Sequence, residues 1–164
     1  MMRAPLVIWG AGAIGGTIGA YLIRAGIEVL FVDQAQDHVQ AINQTGLSVE
    51  GPIEEFTVTA RAVTPDALQG NYSAIWLCTK AQHTETAVCA IAPHLASQGH
   101  VLSLQNGLNE LTIAEAVGRT ATIGAFINFG ADYLGPGRIF YGGRGAVVVG
   151  ELDGSETSRL AETH

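Results

Sequence analysis

The sequence predicts an α/β protein built on an open, doubly wound sheet that is mostly parallel and finishes in an antiparallel meander. Three observations carry that expectation. Short apolar runs alternate with helix-periodic segments as far as Val117, a glycine cluster stands between the first run and the first helix, and from Ala121 only strand-like runs remain. Composition agrees: of 164 residues, enough for one domain, 48% are hydrophobic, 14% are charged and 21 are glycine. Soluble domains ordinarily carry about 25% charged residues. Few charges and many glycines suit buried strands joined by tight turns.

Ala4 to Trp9, bounded by Pro5 and Gly10, reads as a strand covered on both faces. Ala13 to Ala25 follows as a helix, because Ile14, Ile18, Tyr21, Leu22 and Ala25 recur at three- and four-residue steps and Gly26 supplies a left-handed C-terminal residue. Glu28 to Val32 is a second strand, closed by Asp33, and Val39 and Ile42 mark a short helix that Gly46 ends. Leu47 to Glu50 and Phe56 to Val63 alternate apolar with polar residues on either side of Gly51-Pro52, as two strand pieces across a turn. Thr64-Pro65-Asp66 opens a helical turn, Ser73 to Thr79 is a buried strand, and Ala81 to Leu95 is a helix with Ala87, Val88, Ile91 and Leu95 on one face. Val101 to Leu104 and Leu111 to Val117 are the next strand and helix. Thr122 to Phe129, Arg138 to Tyr141 and Ala146 to Val149 form the meander, turned at Gly135-Pro136-Gly137 and Gly142-Gly143. Residues 1–152 thus make one domain. Residues 153–164 read as the start of a helix, with Asp153 and Glu156 at capping-box spacing, so the chain is expected to be the N-terminal domain of a longer protein.

Several function classes fall away. With 8 Lys plus Arg, 15 Asp plus Glu and a net charge of −7, the chain has no basic run to neutralise phosphates, which argues against nucleic acid or an anionic membrane as partner. Its apolar content excludes disorder. Cys78 and Cys89 lie eleven residues apart, with no CxxC and no histidine at ligand spacing; neither a disulfide framework nor a metal site is indicated, and a reducing, cytoplasmic setting fits. Leu6 to Ile23 is apolar enough for a membrane span, Met1-Met2-Arg3 could open a signal peptide, and Gly12/Gly16 and Gly15/Gly19 have GxxxG spacing. A soluble glycine motif explains more of that segment.

Gly10-Ala11-Gly12-Ala13-Ile14-Gly15 is GxGxxG between a strand and a helix. The first glycine permits the tight turn, the second lets backbone approach a pyrophosphate, the third lets the helix pack on the strand, and the helix start offers free N–H groups. Asp33 lies 18 residues beyond Gly15, where the dinucleotide fingerprint expects a carboxylate for an adenosine ribose. No Arg or Lys follows in Gln34-Ala35-Gln36 to receive a 2′-phosphate, so NAD is favoured over NADP. A plain cap on the next helix is the bland role for Asp33. Lys80 follows a strand at the carboxyl edge of the sheet, where a cation suits a phosphate, a ribose hydroxyl or a substrate carboxylate, although a solvated lysine would also serve there. Gln105-Asn106-Gly107 holds the matching edge of the next strand, so the Asn106 amide could touch the same ligand or simply make a turn. His83, one turn beyond Lys80, could overhang the site. His38, His94, His100 and His164 are assigned to helix surfaces or strand entrances, and no Ser-His-Asp or paired-carboxylate arrangement can be built from spacing.

Taken together, these motifs resemble the ketopantoate reductase (2-dehydropantoate 2-reductase) family. The resemblance rests on Gly10 to Gly16 (GAGAIGG), Thr45-Gly46-Leu47 before a split strand, Thr79-Lys80-Ala81, Leu104-Gln105-Asn106-Gly107-Leu108, and the meander from Ala121 to Leu152. It implies a Rossmann-type N-terminal domain followed by an all-helical domain, with a nicotinamide cofactor and a small 2-oxo acid substrate in the cleft between them. By the same resemblance, Lys80 and Asn106 line the cofactor site and Gly130 lies near its nicotinamide end. The activity implied is hydride transfer to the keto carbon of 2-dehydropantoate, giving pantoate in pantothenate biosynthesis. Two departures matter. NADPH-using members carry an Arg where this chain has Asp33, which again points to NAD rather than NADP. The family's proton-donating lysine and substrate glutamate belong to the helical domain, so no catalytic residue is expected in this chain, which should bind cofactor without turnover. Its own helical domain, or a second copy in a homodimer, is expected to cover an apolar patch. A dehydrogenase of another 2-keto acid, of opine or of glycerol-3-phosphate type, and an NAD-binding sensor without chemistry, are the alternatives.

Overall fold

The computed structural model describes residues 4–163; Met1-Met2-Arg3 and His164, raised above, lie outside the described residues. Among the described residues nine strands form one sheet, in the order β4 (Phe56–Val58), β3 (Leu47–Glu50), β9 (Arg138–Glu151), β8 (Thr122–Gly135), β7 (Leu95–Ser103), β6 (Tyr72–Leu77), β1 (Leu6–Trp9), β2 (Val29–Val32) and β5 (Arg61–Val63). At its centre are β1 (Leu6–Trp9), β2 (Val29–Val32), β6 (Tyr72–Leu77) and β7 (Leu95–Ser103), which pair in parallel as a doubly wound fold requires. Successive side chains on these strands serve opposite layers. Val7, Trp9, Leu30, Val32, Ile75, Leu77 and Val101 pack under α3 (Thr84–Ile91) and α4 (Asn109–Val117). Ile8 and Phe31 face α1 (Ala13–Arg24) and α2 (Gln36–Thr45) on the other side.

The sheet curls around α1. That helix packs on β1 and β2 and also on β3 (Leu47–Glu50), β4 (Phe56–Val58), β8 (Thr122–Gly135) and β9 (Arg138–Glu151). Gly15, Gly16, Thr17, Gly19 and Ala20 are its buried residues. A Cβ on Gly19 would meet the Phe31 ring at 2.4 Å and one on Gly16 would meet Ile139 at 2.8 Å, so sheet packing on two sides accounts for the GxxxG spacing. At 12 residues α1 is short, and among the described residues no helix is long and apolar enough to cross a membrane.

The structure amends the sequence reading in three places. Phe56 to Val63 is broken: β4 pairs with β3 at one edge of the sheet, while β5 (Arg61–Val63) pairs with β2 at the other. Alternation specifies a strand's face but not its partner. The helix expected over Ala81 to Leu95 is α3 flanked by 3-10 turns at Ala81–His83 and Ala92–His94, because Pro93 cannot continue an α-helix. The meander is one long hairpin, with β8 parallel to β7 and β9 antiparallel to β8; Gly142-Gly143 is no turn but lies inside β9, opposite Gly130 where the register shifts. Glycine within a strand marks a bulge as readily as a turn. The true turn is Gly135-Pro136-Gly137, as expected. Beyond it, α5 (Ser158–Thr163) follows β9.

Candidate cofactor-binding site

At the carboxyl ends of β1, β2 and β6 lies a cleft of about 730 Å³. Its position follows from topology: the chain winds from β1 toward β2 on one side and toward β6 on the other, which leaves a crevice where the winding reverses. Gly10, Gly12, Ala13 and Ile14 form its floor, Asp33 and His38 one wall, Lys80 and His83 another, and Ala131, Asp132 and Tyr133 of β8 overhang it.

The three glycines of the floor answer to different needs. Gly10 has φ +99°, and a Cβ there would sit 3.0 Å from the backbone nitrogen of Thr79. A Cβ on Gly15 would lie 1.9 Å from the carbonyl oxygen of Gly10. Gly12 has φ −73° and nothing within 4 Å of its would-be Cβ. The protein itself therefore does not need a glycine at position 12; the space beside it opens into the cleft. No side chain caps the start of α1, and helix geometry leaves the amides of Ala13, Ile14 and Gly15 without an intrahelical acceptor. A cradle of this kind suits an anionic pyrophosphate.

Asp33 frames the cradle from below. One carboxylate oxygen accepts from the Ala11 amide at 2.9 Å and the other from the Ala35 amide at 2.9 Å. A carboxylate offers about four acceptor sites, so further hydroxyl donors can be received. Across the cleft, Gln105 is buried and its amide donates to the Thr79 carbonyl at 2.7 Å and to the Thr84 hydroxyl at 3.0 Å, while its oxygen accepts from Ser103 at 3.2 Å. These bonds pin the segment that carries Lys80. Burial pushes the Cys78 thiol up, so it stays protonated at neutral pH and offers no nucleophile. Burial, followed by the Asp37 and Asp33 charges, likewise raises Tyr133 and keeps its hydroxyl a donor.

Of the residues singled out from sequence, Gly10, Gly12, Ala13, Ile14, Asp33 and Lys80 line the cleft together. Ala11 and Gly15 are buried just behind the floor. Asn106 and Gly130 do not line it: the Asn106 oxygen accepts from the Ile127 amide at 3.2 Å, and Gly130 pairs with Gly143. His38, assigned from sequence to a helix surface, is 1% exposed and hydrogen-bonded at both ring nitrogens. Tyr133, Asp132 and the bridging role of Gln105 were not foreseen; only the position of Gln105 at a strand's carboxyl end could have signalled it.

A family model described as Ketopantoate reductase PanE/ApbA matches residues 6–154. The chain belongs to that family. It is similar to the 2-dehydropantoate 2-reductase of Pyrococcus abyssi, with 37% identity over 146 residues, covering 88% of this chain and 47% of that protein. The 2-dehydropantoate 2-reductase of Archaeoglobus fulgidus is 34% identical over 98% of this chain and 53% of its own. Among solved structures, a PanE/ApbA family ketopantoate reductase from Ralstonia eutropha JMP134 superposes with a TM-score of 0.85 at 34% identity, over 98% of this chain and 52% of that one. A ternary structure of D-mandelate dehydrogenase with NADH and anilino(oxo)acetate does so with a TM-score of 0.84 at 28% identity, over 98% of this chain and 51% of that one. The chain spans about half the length of the curated relatives it matches.

Proposed function

We propose that this ketopantoate reductase family chain is the cofactor-binding half of an enzyme that reduces 2-dehydropantoate to pantoate, with NADH preferred over NADPH. Gly12 carries the reading: a glycine that no protein contact requires, set against uncapped helix amides, is explained by a ligand's pyrophosphate. Asp33 supports the preference. A 2′-phosphate beside its carboxylate would be repelled by roughly 4 kcal/mol per unit charge pair about 4 Å apart, before salt screening. Lys80, at the rim on the segment Gln105 pins, is placed to hold a phosphate or a substrate carboxylate. When bound, the reduced nicotinamide supplies the hydride. This chain's own work is to bind and orient; the proton donor is assigned to a helical domain following residue 152, whose association with this domain completes the substrate cleft. A second reading, reduction of another 2-oxo acid with NADH, is favoured by the D-mandelate dehydrogenase likeness.

Calorimetric titration with NADH and with NADPH tests this. Tighter binding of NADH, a preference narrowed by Asp33→Ala and binding abolished by Gly12→Val are expected. Failure of the unaltered chain to bind either nucleotide would overturn it. Assay of a chain extended through the helical domain against 2-dehydropantoate and other 2-oxo acids separates the two substrate readings.

A further inference from the structure

His38 projects from the first turns of α2 into the interior and bridges two segments remote in sequence. Its Nε2 lies 2.8 Å from the carbonyl oxygen of Ala11, 27 residues away, and its Nδ1 accepts the amide of Gly137, 99 residues away, at 2.9 Å. Because a backbone amide can only donate, Nδ1 carries the lone pair and the proton resides on Nε2, where it is donated to Ala11. The two peptide units that meet at the Ala11 Cα are therefore both held: the N–H of the Gly10–Ala11 unit donates to Asp33, and the C=O of the Ala11–Gly12 unit accepts from His38. The Gly12 amide shares the plane of the carbonyl that His38 holds, and the helix start follows directly from it. Tyr133, which overhangs the cleft, packs edge-on to the imidazole with ring centroids 5.0 Å apart.

Neither bond is a requirement of α2 itself. Ile42 of the same helix lies in the core, whereas an apolar side chain at position 38 would leave the Ala11 carbonyl and the Gly137 amide without this partner. A residue that offers one donor to the glycine loop and one acceptor to the hairpin turn has a more specific use.

We propose that His38 is a positioning residue: it locks the Ala11–Gly12 peptide, and through it the glycine-loop amides, to the β8–β9 turn, so that the loop is shaped for a dinucleotide before one arrives. This rests on the cofactor-site reading above, but the two fail separately. Pre-ordering of the loop lowers the conformational cost of binding, so the latch acts on affinity.

The test uses the unaltered chain, His38→Leu, which keeps bulk but removes donor and acceptor, and His38→Gln, whose amide supplies one of each. Long-range proton–nitrogen spectra of the unaltered chain should show the Nε2–H tautomer at His38; the Nδ1–H tautomer overturns the proposal before any variant is made. Without ligand, amide resonances of Ala11 to Gly15 should move in the Leu variant and return toward their original positions in the Gln variant. NADH affinity, measured below the melting temperature of every variant, should fall at least tenfold for Leu and recover most of that loss for Gln. Unmoved loop resonances and unchanged affinity in the Leu variant overturn the latch, as does a Gln variant no better than Leu. If the unaltered chain binds no nucleotide, the functional reading falls, while the tautomer and the loop resonances still decide the latch.

Discussion

Gly12 and Gly15 sit three residues apart in one motif, yet different neighbours hold them to glycine. At Gly15 the constraint is internal, since an added Cβ would stand 1.9 Å from a backbone oxygen that has no side-chain freedom to yield. Gly15→Ala is therefore expected to destabilise the fold by about 3 kcal/mol or more, the upper range for overpacking, and to lower Tm by roughly 10 °C. At Gly12 no internal contact imposes glycine, because the would-be Cβ meets nothing, and on the proposed function the constraint is the nucleotide. Gly12→Val should melt within a few degrees of the unaltered chain while losing nucleotide binding. Thermal melts of both variants beside their titrations check the contrast; a Gly12→Val variant that unfolds as readily as Gly15→Ala would return the loop to a purely structural role.

At the scale of elements, buried polar groups decide which segments stay together. Gln105 joins the β7 end, Thr79 and the start of α3, and truncating it to Leu leaves the Thr79 carbonyl and Ser103 hydroxyl without it. The expected cost is about 1–3 kcal/mol, measurable by urea unfolding, with hydrogen exchange quickened around Lys80. The second such join ties α5 to β9: Arg159 binds both oxygens of the buried Glu151 carboxylate and also the Thr120 carbonyl at 2.7 Å. Hydrogen bonding to Arg159 holds Glu151 below the usual carboxylate range. A carboxyl depressed in the folded state adds stability above its unfolded pKa, about 4.3, and that contribution is lost as the pH falls through the folded value. Glu151→Gln should thus cost about 2 kcal/mol at pH 7, less than a fully buried pair because Arg159 reaches solvent. Thermal melts across the acid range should show the gap between variant and parent begin to narrow below about pH 4.3 and close only once the pH has fallen past the folded value.

Over the whole molecule, the curled sheet encloses α1 and leaves apolar side chains on its outer surface. Leu108 is 80% exposed and Leu111 56% at the start of α4, which packs on β8; Phe126 and Val148, 58% and 57% exposed, pair across β8 and β9. Exposed apolar patches mark interaction sites more often than bare solvent-facing surface does. If the proposed helical domain covers it, the chain as given should bind an environment-sensitive hydrophobic dye, and a chain extended through that domain should not. Replacing Phe126 and Val148 by Ser and Thr should reduce dye binding to the short chain with little change in Tm. A clean monomer without dye binding would count against both the covering domain and a homodimer.

Sequence by itself determined the doubly wound character of this protein and the place of its glycine loop. Apolar runs, helix periodicity and GxGxxG between Trp9 and Ala13 are local patterns, and each encodes a local conformation or face. Asp33 and Lys80 were legible for the same reason, since strand ends in a parallel sheet share one edge. The partners of strands were not. Phe56 to Val63 divides between opposite edges of the sheet, and Gly142-Gly143 lies inside β9 opposite Gly130, where the β8–β9 register shifts. Nor could His38 be told from a surface histidine, as its acceptor and donor come from Ala11 and Gly137. Only the tertiary structure decided those matters, because pairing and burial depend on which distant segments the curl of the sheet brings within hydrogen-bond reach, and no window of neighbouring residues contains that distance.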